Sequence, residues 1–305
     1  MLPRRTFLKT LAATAVVPTL WAASEPFRFR YVLASALYGE MPLETILPEV
    51  AKAGCSAIDI WGKVHGNQRE QITEMGDDAF AALLTKHGAK LAVSTRYPLG
   101  PFRLQEEMAW VKKLGGKMIV VGISGPKNPE GAEAKAATQK FFEDMKPHAE
   151  KAQELGVTIA IENHGNSTLS HPDSLRYFAE FNRSQALGIA FAPHHLHQWS
   201  EQIPTLIRDL GAKQLPFVYF QEHSEGSQKK MPKEIELQQL PGFGGGLDYR
   251  PIVKALSDIR FTGEVEIFMH PTPRGVPILP TAAEITAAVN KSRAYIEKCI
   301  AEVLS

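Results

Sequence analysis

Histidines and carboxylates gather late in this chain in four short polar runs, each directly after an apolar one. The runs are Glu162-Asn163-His164, His194-His195-Leu196-His197, Gln221-Glu222-His223 and His270-Pro271. Imidazole and carboxylate move protons near neutral pH and bind divalent transition metals. One histidine at such a place more often packs or hydrogen-bonds than binds a ligand. Four runs built alike point to a shared site.

Such runs act together only if the fold brings them to one place. Eight short apolar segments recur: Phe29–Ala36, Ala57–Trp61, Lys90–Thr95, Met118–Ile123, Thr158–Glu162, Leu187–Ala192, Phe217–Gln221 and Glu264–Met269. They are mostly apolar at consecutive positions, the pattern of parallel strands covered on both faces. Amphipathic stretches lie between them, among them Leu43–Ala53, Phe80–His87, Ala134–Leu155, Ser200–Leu210 and Ala282–Val303. Gly54, Gly88, Gly115 and Gly156 stand where helices would be capped. Eight strands each followed by helix predict an α/β chain forming a single-domain (β/α)8 TIM barrel over residues 26–305. An open doubly wound sheet would want a glycine-rich phosphate loop after its first strand. The run there is Ser35-Ala36-Leu37-Tyr38. In a barrel the C-terminal strand ends open on one mouth, so the four polar runs become neighbours. The irregular stretch from Glu222 to Gly246 leaves this mouth and reads as a lid.

The N-terminus carries a separate signal. Arg4-Arg5-Thr6-Phe7-Leu8-Lys9 precedes an apolar run from Leu11 to Leu20 and the small residues Ala22, Ala23 and Ser24. This is the build of a signal peptide over residues 1–25, and the paired arginines mark the twin-arginine (Tat) route. The apolar run is too short to span about 30 Å of hydrocarbon, and Pro18 would break a helix there. The expectation is therefore an exported, periplasmic protein that meets the Tat translocase once and keeps no membrane anchor. A formal charge of +1 argues against a nucleic-acid partner. Cys55 and Cys299 are too few for a disulfide framework and read as buried thiols, with a single bridge as the alternative.

The same segments carry a family resemblance over nearly all of residues 27–300. Ala53-Gly54-Cys55-Ser56-Ala57-Ile58-Asp59-Ile60, Gly156-Val157-Thr158-Ile159-Ala160-Ile161-Glu162-Asn163-His164 and Leu187-Gly188-Ile189-Ala190-Phe191 come first. Gly242-Phe243-Gly244-Gly245-Gly246-Leu247-Asp248-Tyr249 and Phe261-Thr262-Gly263 follow. In order and spacing the chain resembles the xylose isomerase-like TIM barrels, sugar isomerases and epimerases among them. The resemblance implies a divalent metal held by Glu, Asp, His and Glu from the fifth to eighth strands. Glu162 matches the first of these, whereas Ala192, Tyr219 and Phe268 stand at the other three. Along a strand, i and i+2 share a face. His194, Gln221 and His270 stand two residues beyond the three departures, and His164 two beyond Glu162. The expected metal set is thus Glu162, His194, Gln221 and His270, one layer nearer the mouth. Imidazole and carboxylate suit a divalent transition metal such as Mn, Zn, Co, Ni or Fe. Loss of the metal site, with histidines that only hydrogen-bond substrate, is the alternative.

The implied chemistry is removal of a proton beside a carbonyl of a small-molecule carbohydrate. Glu162 is the candidate base, and His195 or His270 the acid. Trp61, His65, His164 and Arg274, with Arg96 and Tyr97 nearby, are expected to contact the sugar. Phe268 in place of a second Glu disfavours two-base epimerisation and leaves β-elimination from a keto-glycoside open. A non-catalytic sugar-binding barrel is the reading from another class. The export signal is testable by itself: with Arg4 and Arg5 both changed to Lys, the precursor should remain in the cytoplasm when fractions are blotted. Normal export of that variant would remove the Tat assignment.

Overall fold

A computed structural model describes residues 26–305; the twin-arginine segment lies outside the described residues. Eight parallel strands close into a barrel in chain order. They are β1 (Arg30–Ala34), β2 (Ala57–Trp61), β3 (Lys90–Thr95), β4 (Met118–Gly122), β5 (Thr158–Glu162), β6 (Leu187–Phe191), β7 (Phe217–Phe220) and β8 (Glu264–Ile267). The seam closes where Arg30, Tyr31 and Val32 of β1 pair with Glu264, Val265 and Glu266 of β8. The expected (β/α)8 barrel is the observed fold.

Among the described residues ten α-helices surround it: α1 (Leu43–Lys52), α2 (Gln68–Met75), α3 (Asp77–Lys86), α4 (Gln105–Lys113), α5 (Gly131–Leu155), α6 (Pro172–Phe181), α7 (Ile203–Leu210), α8 (Lys233–Leu237), α9 (Tyr249–Asp258) and α10 (Ala282–Leu304). Strands covered on both sides are apolar at most consecutive positions, and β6 and β7 are buried throughout. Helix ends follow the glycines: α5 stops at Gly156, whose φ of 69° is left-handed backbone that favours glycine.

Five strands, β1, β4, β6, β7 and β8, stop earlier than their apolar patterning suggests. Ser35–Tyr38 turns into a 3-10 helix after β1, and β7 and β8 end at Phe220 and Ile267. β6 ends at Phe191, and a 3-10 segment runs from Pro193 to Gln202. Proline has no N–H for the ladder, so strand alternation does not extend to His194. The stretch from Glu222 to Gly246 is not wholly irregular. It contains a 3-10 turn at Glu225–Ser227 and helix α8.

The last helix completes the ring by a buried polar chain. The Tyr38 hydroxyl lies 2.8 Å from Thr286 Oγ1, which donates to Glu49 Oε2 at 2.7 Å. Cys55 and Cys299 are buried free thiols, as expected. Among the described residues no helix is long and apolar enough to cross a membrane. Replacing Thr286 with Val keeps the shape but leaves Tyr38 and Glu49 without that partner. We expect Thr286→Val to lose about 1–3 kcal/mol of stability in urea unfolding, the usual cost of stranding buried polar groups.

Candidate active site

The floor of the mouth is aromatic. Trp61 at the end of β2 stacks on Phe268 just beyond β8, with ring centroids 4.6 Å apart and planes 14° apart. Tyr219 of β7 lies 5.8 Å from Phe268, and its hydroxyl is 3.3 Å from that of Tyr97. These rings fill the layer where the resemblance implied metal ligands. Beneath them Asp59 and Glu266 face each other inside the barrel, both fully buried, and Thr95 donates to Asp59 at 2.6 Å.

One wall rises from β5 and β6. Glu162 ends β5 and is only 3% exposed. The next residue locks the two strands: Asn163 donates to the Ala192 carbonyl at 3.0 Å and accepts from the Ala192 N–H at 2.7 Å. That pairing continues the ladder past the strand ends and sets the 3-10 segment that carries His194 and His195. His195 Nε2 lies 3.8 Å from Glu162 Oε1. The His195 ring is 3.9 Å from those of both His194 and His164. One donor atom from each of Glu162, His194 and His195 lies within 4.8 Å of the others. Both ring nitrogens of His194 and Nε2 of His195 are buried without a partner. A cavity of about 390 Å³ opens beside them, bordered also by His197, Trp199 and His223.

The facing wall comes from β2 and β8. His65 lies 5.2 Å from Trp61 and 4.9 Å from His270, whose Nδ1 is buried and unpartnered. Gln239, beyond α8, binds the His270 backbone on both sides, accepting from its N–H at 3.0 Å and donating to its carbonyl at 2.8 Å. It also accepts from the Gln221 side chain at 3.1 Å.

The sequence pattern of the xylose isomerase-like TIM barrel matches residues 47–293. The chain belongs to that family. No curated protein matches the chain in sequence. Several solved structures share the fold. The IOLI protein with a binding zinc atom is 16% identical with a TM-score of 0.67, covering 88% of this chain and 99% of that one. An L-ribulose 3-epimerase is 15% identical with a TM-score of 0.68, covering 91% and 96%. The probable 3-DHS dehydratase AsbF of Bacillus anthracis is 11% identical with a TM-score of 0.65, covering 87% and 98%.

Within this xylose isomerase-like barrel, the structure gathers the sequence-predicted residues only in part. Glu162 and His194 come together with His195. Gln221 commits its amide nitrogen to Gln239, and His270 stands on the other wall, outside that group. Trp61 and His65 line the mouth, and His164 is exposed beside His195. Arg96 instead borders a separate cavity with Arg69, Glu70 and Arg103. Asn163 and Gln239 are the positioning residues that sequence reasoning missed. The first had a signal in the Glu-Asn-His run; the second had none. His171 is structural, accepting from Asp173 N at 3.1 Å to cap α6.

A family metal fits the Glu162–His194–His195 group. Buried polar atoms normally have partners, and three imidazole nitrogens here have none. Two imidazoles and a carboxylate suit a transition metal with open positions. Electrostatics agree with neutral imidazole ligands, whereas an ion would have to displace a proton that burial favours on Glu162. Burial raises the Glu162 carboxyl, offset in part by His164 and by its contact with Tyr97. Burial, then the neighbouring histidines, pushes His194 and His195 well below the ordinary imidazole range.

His65 provides a pH test away from that group. Burial, then Arg274 and His164, lowers its pKa to about 4. As pH falls from about 6.5 toward 4, the unfolded chain takes up a proton there that the folded chain refuses. Its contribution to stability is therefore complete above about 6.5 and lost on the way down. Asp59 has the opposite sign, since burial raises it to about 7 and its contribution fades as pH rises from about 4 to 7. His65→Gln should reduce the drop in urea midpoint between pH 7 and pH 4.5; an unchanged drop would contradict a neutral, buried His65.

Proposed function

We propose that this chain is an exported enzyme that removes a proton from the carbon beside a carbonyl of a carbohydrate, with Glu162 as the base. The observation that carries the reading is a buried carboxylate at a strand end, with its pKa raised by burial, beside a row of unpartnered imidazoles. A general base works best when its pKa approaches the working pH, and desolvation moves a carboxyl in that direction. Glu162, His194 and His195 would hold a divalent transition metal. Bound there, such an ion polarises a carbonyl oxygen. A carboxylate has two oxygens, so Glu162 has one for an ion and one for the substrate proton. His270 faces this group from the opposite wall, and its unpartnered Nδ1 is available to hydrogen-bond the substrate oxygen. Stacked Trp61 and Phe268 offer an apolar floor to a sugar ring. Phe268, with no second acid beside it on β8's end, favours one-base isomerisation or β-elimination over two-base epimerisation.

The test is exchange of substrate hydrogen with solvent. Protein purified without chelator is incubated in D2O with a panel of ketoses and keto-glycosides, followed by NMR and by metal analysis. We expect deuterium at the carbon beside the carbonyl and about one transition metal per chain. Glu162→Gln should slow exchange at least about 10²-fold, and His194→Ala should purify folded without stoichiometric metal. Exchange within a few-fold of the parent in Glu162→Gln removes Glu162 as the base. Full metal content in His194→Ala removes the proposed ligand set.

A further inference from the structure

Arg274 follows β8 on the wall opposite Glu162, with His65 and His270 close enough to feel its charge. It is half-buried, and burial alone lowers its pKa. Its guanidinium donates to two backbone carbonyls, Pro271 O at 2.8 Å and Ser227 O at 3.0 Å. No carboxylate among the described residues pairs with it. That is unusual, because charges withdrawn from water are normally met by an opposite charge. Trp61 and Phe268 on its wall are uncharged, and burial keeps His65 and His270 neutral. Two carbonyls use two of five N–H donors, so the fork retains donors for a planar anion.

We infer that Arg274 binds a carboxylate on the substrate, so that the carbohydrate is an acidic sugar of the uronate class rather than a neutral one. This rests on the carbohydrate reading above and narrows it. The aromatic floor takes the ring, Glu162 and its imidazoles take the reacting carbon on one side, and Arg274 holds the acid group on the other. A phosphate would meet the same guanidinium, but no glycine-rich cradle of backbone N–H groups adjoins it; among the described residues the chain beside it runs Thr272-Pro273-Arg274-Gly275.

The test uses matched pairs: D-glucose with D-glucuronate, D-galactose with D-galacturonate, D-mannose with D-mannuronate, and glucose 6-phosphate as the phosphate control. Binding to the full protein is measured by calorimetry at pH 7. A charge-assisted pair contributes about 1.5–3 kcal/mol, so a uronate should bind at least about 10-fold more tightly than its neutral partner and than the phosphate. Arg274→Gln should bring the two members of that pair within about 2-fold. Arg274→Lys should retain most of the preference, which separates charge from the latch to Ser227. A bound metal would also attract carboxylates, so a preference that survives Arg274→Gln overturns the inference. Equal binding of neutral sugars and uronates by the parent overturns it even if the variant fails to fold, and leaves the carbohydrate reading standing. Absence of binding to every sugar overturns both.

Discussion

Glu162 is buried at the mouth of the barrel, no lysine or arginine among the described residues offsets its charge, and the arrangement around it follows from that cost. An isolated carboxylate in a dry site takes up a proton or acquires a cation. His164 and Tyr97 offset the cost only in part, and burial keeps the neighbouring His195 imidazole unprotonated. The same desolvation acts on both kinds of group. It pushes the carboxyl up and the imidazoles down, which brings a proton acceptor and neutral metal donors into one pH range. Protonation of the carboxyl and binding of a cation are therefore competing solutions to a single energetic problem.

The aromatic floor explains why this problem is solved near solvent. Trp61, Phe268 and Tyr219 close the layer below, so an ion or a sugar cannot sit deeper among the strands. Under the floor lies a second acid pair, Asp59 and Glu266, kept separate from the mouth. Burial raises both; Asp59 pushes Glu266 up further, whereas the hydrogen bonds to Thr95 and Glu266 pull Asp59 back down in part. Two sets of acids thus coexist in one barrel with different roles. The inner pair lies closed within the core, and Glu162 faces the mouth.

The strands were legible in the sequence because a strand buried on both faces is apolar at most consecutive positions, and the glycines after α1, α3, α4 and α5 marked helix ends. The ends of the strands were less legible. Residues past the ladder remain apolar or aromatic because they form the floor, so composition does not change where hydrogen bonding stops. Alternation suggested that His194, Gln221 and His270 face the mouth one layer beyond Ala192, Tyr219 and Phe268. It holds only while the backbone stays extended, and Pro193 turns the chain into a 3-10 segment. That turn brings His195 to Glu162 alongside His194. Gln239 was illegible for a different reason: its partners Gln221 and His270 lie 18 and 31 residues away, and nothing local marks a glutamine as a clamp.

That clamp changes how the long segment after β7 is understood. Gln239 joins it to the His270 backbone, Ser227 accepts from Arg274, and Thr272 donates to the Gly226 carbonyl at 2.9 Å. Glu222 anchors its glycine-rich end, accepting from the N–H groups of Gly242 at 3.2 Å and Leu247 at 3.1 Å. A side chain at Gly245 would meet Glu222, its Cβ falling 2.5 Å from Oε2, so the close approach requires glycine. Lifting the segment would break several bonds worth about 0.5–1.5 kcal/mol each, and would release His270 and Arg274 together. The segment and the β8 wall are therefore one mechanical unit. A ligand that engages Arg274 stabilises the same arrangement that holds His270 opposite Glu162, so recognition at one end of the substrate supports the geometry for chemistry at the other.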